Sequence, residues 1–165
     1  MKVLPSLVTT WGEWKSLRPN TVVLSRNTGY RRPYQVDITR DYFQGSGPSF
    51  PVSFLDDRLP AMEVVIGLEL NGAAKAYPIR RMGNTVVEDN VGGRTIVVFS
   101  KASALSANIF DAFLDGKLMK FEFHDGDFLD LQTETTWDLT GRAVEGPLAG
   151  KRLTPLPAIS ELWFQ

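Results

Sequence analysis

Glu63-Val64-Val65-Ile66-Gly67-Leu68-Glu69-Leu70-Asn71-Gly72-Ala73-Ala74-Lys75-Ala76-Tyr77-Pro78-Ile79 is the stretch that decides the fold. Glu63 to Leu70 alternates, Asn71-Gly72 interrupts, and Ala73 to Ile79 runs back. Asn-Gly accepts positive φ at both central residues of a type I′ turn, so the stretch reads as a β-hairpin. The punctuation repeats downstream. Asn84 to Glu88 and Arg94 to Ser100 flank Val91-Gly92-Gly93. Asn108 to Leu114 and Lys117 to His124 flank Asp115-Gly116, with Met119, Phe121 and Phe123 on one face. Asp125-Gly126 then turns into Phe128 to Gln132. The pattern predicts a mainly β fold: an antiparallel meander forming a curled sheet or small barrel, with one or two short helices.

Upstream of this region helix signals are few. Thr10 and Glu13 have capping-box spacing, which predicts a helix over Thr10 to Leu17 that Pro19 stops, with Leu7, Trp11, Trp14 and Arg18 near one stripe. Ala102 to Ala107 reads equally as a second helix or as a loop leading into a strand. The chain is expected to form a single domain over 1–165: a tail-like segment at 1–36, a long loop rich in Gly, Pro, Ser and Asp at 37–62, and the meander with its C-terminal segment at 63–165. Leu4-Pro5-Ser6-Leu7-Val8-Thr9-Thr10-Trp11 and Leu156-Pro157-Ala158-Ile159-Ser160-Glu161-Leu162-Trp163 share the pattern L-P-x-[L/I]-x-x-x-W. The second copy ends in Leu162-Trp163-Phe164, an aromatic end that must dock on its own domain, dock on a neighbour, or mark a cut edge.

Composition narrows the chemistry. With 165 residues, 43% hydrophobic and 22% charged, the chain can bury a core of ordinary size. A net charge of −1 supplies no global pull toward nucleic acid or anionic membrane. No apolar run approaches the roughly 20 residues of a membrane helix, and no signal-peptide core follows Met1 to Pro5. The expected compartment is cytoplasmic if Met1 is the native start and extracytoplasmic if the chain is cut from an exported protein. There is no cysteine and one histidine, His124. Thiol nucleophiles, disulfides and Cys/His zinc sites are therefore excluded, and no cofactor is expected.

The ordered motifs carry a family resemblance. They are Ala74-Lys75-Ala76-Tyr77-Pro78-Ile79-Arg80, Val87-Glu88-Asp89-Asn90-Val91-Gly92-Gly93, Val97-Val98-Phe99, then Asp130, Thr133 and Trp137, then Thr140 to Gly150. From Leu59-Pro60 through Gly150 the chain resembles an uncharacterised bacterial and archaeal family, catalogued as domain of unknown function 3179. Thr10-Trp11-Gly12-Glu13-Trp14, with Arg18 to Ser25, resembles the segment that follows the last of these motifs in that family. The family signature, [YF]-C-P-L-[CT]-G-S, is replaced here by Phe99-Ser100-Lys101-Ala102-Ser103-Ala104-Leu105-Ser106-Ala107. A family W-H-E gives way to Gly83-Asn84-Thr85, and W-x-Q after Trp137 to Asp138-Leu139. The resemblance thus implies a degenerate copy that keeps the scaffold and lacks the Cys and His positions.

Several constellations are candidates for chemistry. Asp125, Asp127 and Asp130 space three carboxylates over a turn, as a calcium loop does, without the ordered ligand series or closing glutamate of one. His124 beside Asp125 offers an oriented base, with Ser100, Ser103 or Ser106 as nucleophiles. Asp130, Glu134 and Asp138 offer carboxylates for hydrolysis, with Trp137 as a sugar platform or as a core residue whose indole N–H bonds to backbone. Gly29-Tyr30-Arg31-Arg32-Pro33-Tyr34 and Arg80-Arg81 interleave cations with aromatics, but the balanced charge argues for solvated loops or protein contacts over nucleic acid. Gly45-Ser46-Gly47-Pro48 lacks the lysine and helix of a phosphate loop. The leading expectation is a non-catalytic module in protein binding or self-assembly, a homo-oligomer joined through Leu7, Trp11, Trp14, Leu162, Trp163 and Phe164, with no membrane insertion. The alternatives are a carboxylate hydrolase, or a domain binding a small anion or saccharide through Tyr77, Arg80 and Trp137.

Overall fold

Val64–Leu70 (β1) and Ala73–Pro78 (β2) pair antiparallel across Asn71-Gly72, whose φ angles are 50° and 78°. The computed structural model describes residues 6–37, 39, 40, 42, 45, 47, 48, 50–53 and 56–164. Leu4, Pro5, Ser46 and parts of the long loop at 37–62 lie outside the described residues. Three more turns repeat the device. Asn84–Val91 (β3) returns through Gly92-Gly93 as Arg94–Lys101 (β4). Phe113–Leu114 (β6) returns through Asp115-Gly116 as Lys117–Leu118 (β7), and Phe121–His124 (β8) through Asp125-Gly126 as Asp127–Asp130 (β9). All of these turn residues have positive φ, which is why Asn, Asp and Gly recur there.

The turn at Asp115-Gly116 predicts one long hairpin from Asn108 to His124; the structure shortens it. Ser106–Asp111 (β5) pairs with β4. The backbone then bends at Ala112, whose N–H donates to the Thr95 carbonyl and whose carbonyl accepts from Met119. Only two residue pairs are left for β6 and β7. Burial explains the preference: β5 is buried from Ser106 to Phe110 and is held in the interior by β4.

Thr136–Trp137 (β10) and Ala143–Glu145 (β11) complete one sheet in the order β11-β10-β9-β8. Ala158–Leu162 (β12) returns to the free side of β1, giving β12-β1-β2. The sheet β3-β4-β5 lies between these two, and among the described residues no sheet closes into a barrel. Strand β4 shows the layering directly: Ile96, Val97, Val98 and Phe99 are all fully buried. Val97 and Phe99 join Phe121, Phe128 and Trp137 in one cluster, while Ile96 and Val98 join Ile66, Leu68 and Tyr77 in the other. A strand covered on both faces reads as a continuous apolar run, not as an alternation. Phe99 stacks on Phe128 at 4.1 Å and meets Phe110 and Phe121 edge-on. Burying each such side chain contributes about 1.5–3 kcal/mol.

The helices are short. Trp11–Leu17 (α1) is capped by Thr10, whose Oγ1 accepts the Glu13 N–H at 3.4 Å. Only half of the capping box forms, because the Glu13 carboxylate turns to Lys101 instead. Ile79–Met82 (α2) follows β2 directly. Ala102–Ala104 is a single 3₁₀ turn that enters β5 through Leu105, so both readings of that segment are partly right. Among the described residues from 6 to 64 none is buried. The N-terminal segment lies on the outside of the layered body, held by Ser106 Oγ donating to the Val8 carbonyl at 2.7 Å and by Leu7 against the first cluster.

Candidate functional site

Lys101 closes β4 and is the hub of the polar cluster between α1 and the body. Its Nζ lies 2.7 Å from Glu13 Oε1 of α1 and 3.7 Å from Asp127 Oδ1 of β9, with only 14% of the side chain exposed. Burial pushes the Asp127 carboxyl up against the pull of Lys101, and the negative charges of Glu13 and Asp138 add to the rise. Across the β8–β9 ladder His124 faces Asp127, and its Nε2 lies 3.3 Å from Asp125 Oδ2 at an exposed strand end. This cluster gathers Asp127 and Asp138 with Lys101 and Glu13, which sequence reasoning missed, while His124 stands at its exposed edge and pairs with Asp125. The available signal was a lysine ending the apolar run Ile96 to Phe99, beside a capping glutamate with no partner on its own helix.

The Asp130 and Asp138 carboxylates are spent on local structure. Asp130 is fully buried. Its Oδ1 accepts from Thr133 N at 2.6 Å and Thr133 Oγ1 at 2.9 Å; its Oδ2 accepts from Thr135 N at 3.2 Å and Trp137 Nε1 at 3.0 Å. The Trp137 indole therefore finds a carboxylate where a backbone carbonyl was expected. Asp138 Oδ1 accepts from Thr140 N, Thr140 Oγ1 and Arg142 N, holding the turn that leads to β11. Glu134 is exposed at a φ of 55° between Asp130 and Thr135. Asp125 is exposed, and Asp127 and Asp130 differ in strand parity on β9, so the three aspartates do not share one face. Among the described residues no group of three or more potential ligands is placed to hold a metal ion.

The Ser100 and Ser106 hydroxyls are similarly engaged, and Ser103 is exposed. Ser100 Oγ donates to the Gly83 carbonyl at 2.8 Å and Ser106 Oγ to that of Val8, while Ser103 N–H donates to Asn84 Oδ1. The segment aligned with the cysteine signature thus forms the end of β4, the 3₁₀ turn and the start of β5, beneath the N-terminal segment.

The three proposed ligand residues are in separate surroundings. Trp137 is in the first cluster and Tyr77 in the second, while Arg80 is exposed on α2. Tyr77 donates its hydroxyl to Asp89 Oδ2 at 2.8 Å, and Lys75 reaches the same oxygen. Burial and the Asp89 carboxylate both raise the Tyr77 hydroxyl above its ordinary value. Burial also pulls the Asp89 carboxyl upward, but hydrogen bonds from Lys75 and Tyr77 outweigh it and hold it below the usual range.

The aromatic ends are placed as follows. Leu162 is buried in β12 opposite Val64. Trp163 Nε1 donates to the Asp56 carbonyl at 2.9 Å, and Phe164 meets Phe50 edge-on at 5.8 Å. At the other end Leu7 packs on the core and Trp14 Nε1 donates to Thr21 Oγ1 at 3.0 Å, while Trp11 is half exposed. The C-terminal aromatics dock on residues of the same chain.

These features define a layered antiparallel β domain in which the buried polar groups tie turns together. No helix among the described residues is long and apolar enough to cross a membrane. The chain belongs to the family described as protein of unknown function (DUF3179), which matches it over residues 1–165. No curated protein and no solved structure matches it.

Proposed function

We propose that this chain acts as a non-catalytic protein-binding module that self-assembles, and that the N-terminal segment is its contact surface. One observation carries the reading: no described residue from 6 to 64 is buried, yet this stretch presents Val22, Val23 and Leu24 at 89, 70 and 96% exposure. Trp11, Tyr30 and Val36 add to this surface. Single exposed apolar residues are ordinary, but a run of them in one exposed segment marks a surface that another molecule covers. The saturated donors and acceptors around Asp130, Ser100 and Ser106 favour this reading over a carboxylate hydrolase.

The test is the solution mass by light scattering over about two decades of protein concentration, for the wild type and for V22S/V23S/L24S. Mass should rise with concentration in the wild type and stay monomeric in the variant, because burying apolar surface drives the association. A wild type that stays monomeric throughout, or a variant that associates equally well, overturns the reading.

A further inference from the structure

A groove of about 1030 Å³ runs over the outer face of the β12-β1-β2 sheet. Strand register sets its floor in rows: Glu161, Val65 and Pro78; then Ile159, Gly67 and Ala76; then Glu69 and Ala74. Gly67, Ala74 and Ala76 carry little or no side chain there, while Val65, Pro78 and Ile159 keep the rest of the floor apolar. At one end stands Trp163, with the Arg58 guanidinium 5.1 Å over its ring. The two cations nearby are already engaged, Arg58 by Asp56 and Lys75 by Asp89. Glu69 and Glu161 are exposed and have no ion pair among the described residues. Glu161 faces Val65 and Glu69 lies four residues further along β1, which separates the two carboxylates by about 13 Å along the strand. The groove is therefore a small-residue trough with an aromatic end and an unbalanced negative charge.

The N-terminal segment supplies its complement. Residues 14–36 contain five cations and no carboxylate. Within them, Thr28 Oγ1 and the Tyr34 hydroxyl are 2.8 Å apart and close a loop with Arg31-Arg32 at its tip. Both arginines are exposed and without an ion pair among the described residues, and Tyr30 stands exposed beside them. We infer that the partner is a second copy of this chain: the Arg31-Arg32 loop of one copy seats in the β12-β1-β2 groove of the next, its guanidinium groups on Glu69 and Glu161. This rests on the contact-surface reading above and adds which partner is bound and where. Guanidinium–carboxylate pairing sets the register, and the small-residue floor receives the tyrosine ring. Loop and groove are different surfaces, so the contact is head-to-tail and extends unless it closes into a ring.

Charge exchange tests it. E69K/E161K and R31E/R32E, all at exposed positions, are each expected to weaken self-association at least ~tenfold by setting like charges together. Mixing the two reversed proteins should restore it, since each mutated surface then meets its opposite. If both reversals leave association unchanged while V22S/V23S/L24S abolishes it, the groove proposal falls and the contact-surface reading stands. If the wild type is monomeric throughout, both fall. Mass that rises only when a single-stranded RNA homopolymer is added assigns the arginine loop to nucleic acid and also overturns the proposal.

Discussion

Asp130 to asparagine is the substitution that separates a structural from a catalytic carboxylate at the residue scale. It keeps the shape but sets an NH₂ group among the donors of Thr133, Thr135 and Trp137. Leaving a buried donor unpaired costs about 1–3 kcal/mol, so a loss of about 3 kcal/mol in urea unfolding is expected for D130N, and more for D130A. A D130N protein with wild-type stability would contradict this role. Asp89 and Asp127 predict opposite pH effects. The folded value of Asp89 lies below the ordinary 3.8, so the folded chain binds fewer protons than the unfolded chain between those values. Its stabilising contribution is complete above about 3.8 and is lost as pH falls through the folded value. Asp127 has its folded value above 3.8; it costs stability at neutral pH, and that cost disappears as pH falls through the folded value toward 3.8. Urea midpoints at neutral and acid pH should therefore fall less on acidification for Asp89→Asn than for the wild type. At neutral pH the Asp127→Asn midpoint should match or exceed the wild type. A marked loss at neutral pH in Asp127→Asn would show that its pairing with Lys101 outweighs its burial.

Gly92 carries the prediction at the element scale. A Cβ there would lie 2.1 Å from the Leu70 carbonyl oxygen, at the point where Asn71 Nδ2 also donates to the Gly92 carbonyl. Its neighbour Gly93 has the same sign of φ but open space around it. Gly92→Ala should therefore cost about 3 kcal/mol and Gly93→Ala about 1 kcal/mol, measured by thermal or urea unfolding. Equal costs would mean that the contact between the two hairpin turns relaxes freely. Legibility at this scale followed turn chemistry. Asn71-Gly72, Gly92-Gly93, Asp115-Gly116 and Asp125-Gly126 all turn where their residue types demand, because positive φ is a local property. The extent of the Asp115-Gly116 hairpin was not legible. Whether Asn108 to Phe110 pairs with β4 or continues toward β6 depends on what β4 buries, a contact that no local pattern encodes.

For the whole molecule, the question to test is whether a second copy covers the N-terminal segment. The light-scattering and charge-exchange experiments address it, and higher salt should weaken association further, since exposed ion pairs are screened. Leu162 and Trp163 also show how a shared motif diverges. The L-P-x-[L/I]-x-x-x-W pattern ends β12 at one terminus and leads into α1 at the other; the described part of the N-terminal copy lies on the body near Ser106, without a strand partner. The candidate site divides the same way. Its residue types were visible in the chain, but the gathering of Glu13, Lys101, Asp127 and Asp138 joins positions more than a hundred residues apart. By itself the sequence determined the hairpin turns, the mainly β class, the Thr10 cap and the lack of thiol chemistry, because these depend on φ preference, periodicity and residue type. Only the tertiary structure decided that Asp130 holds a buried turn and that Lys101 joins α1 to the sheets. It also decided that Glu69 and Glu161 line one groove, since burial and long-range pairing depend on which strands become neighbours.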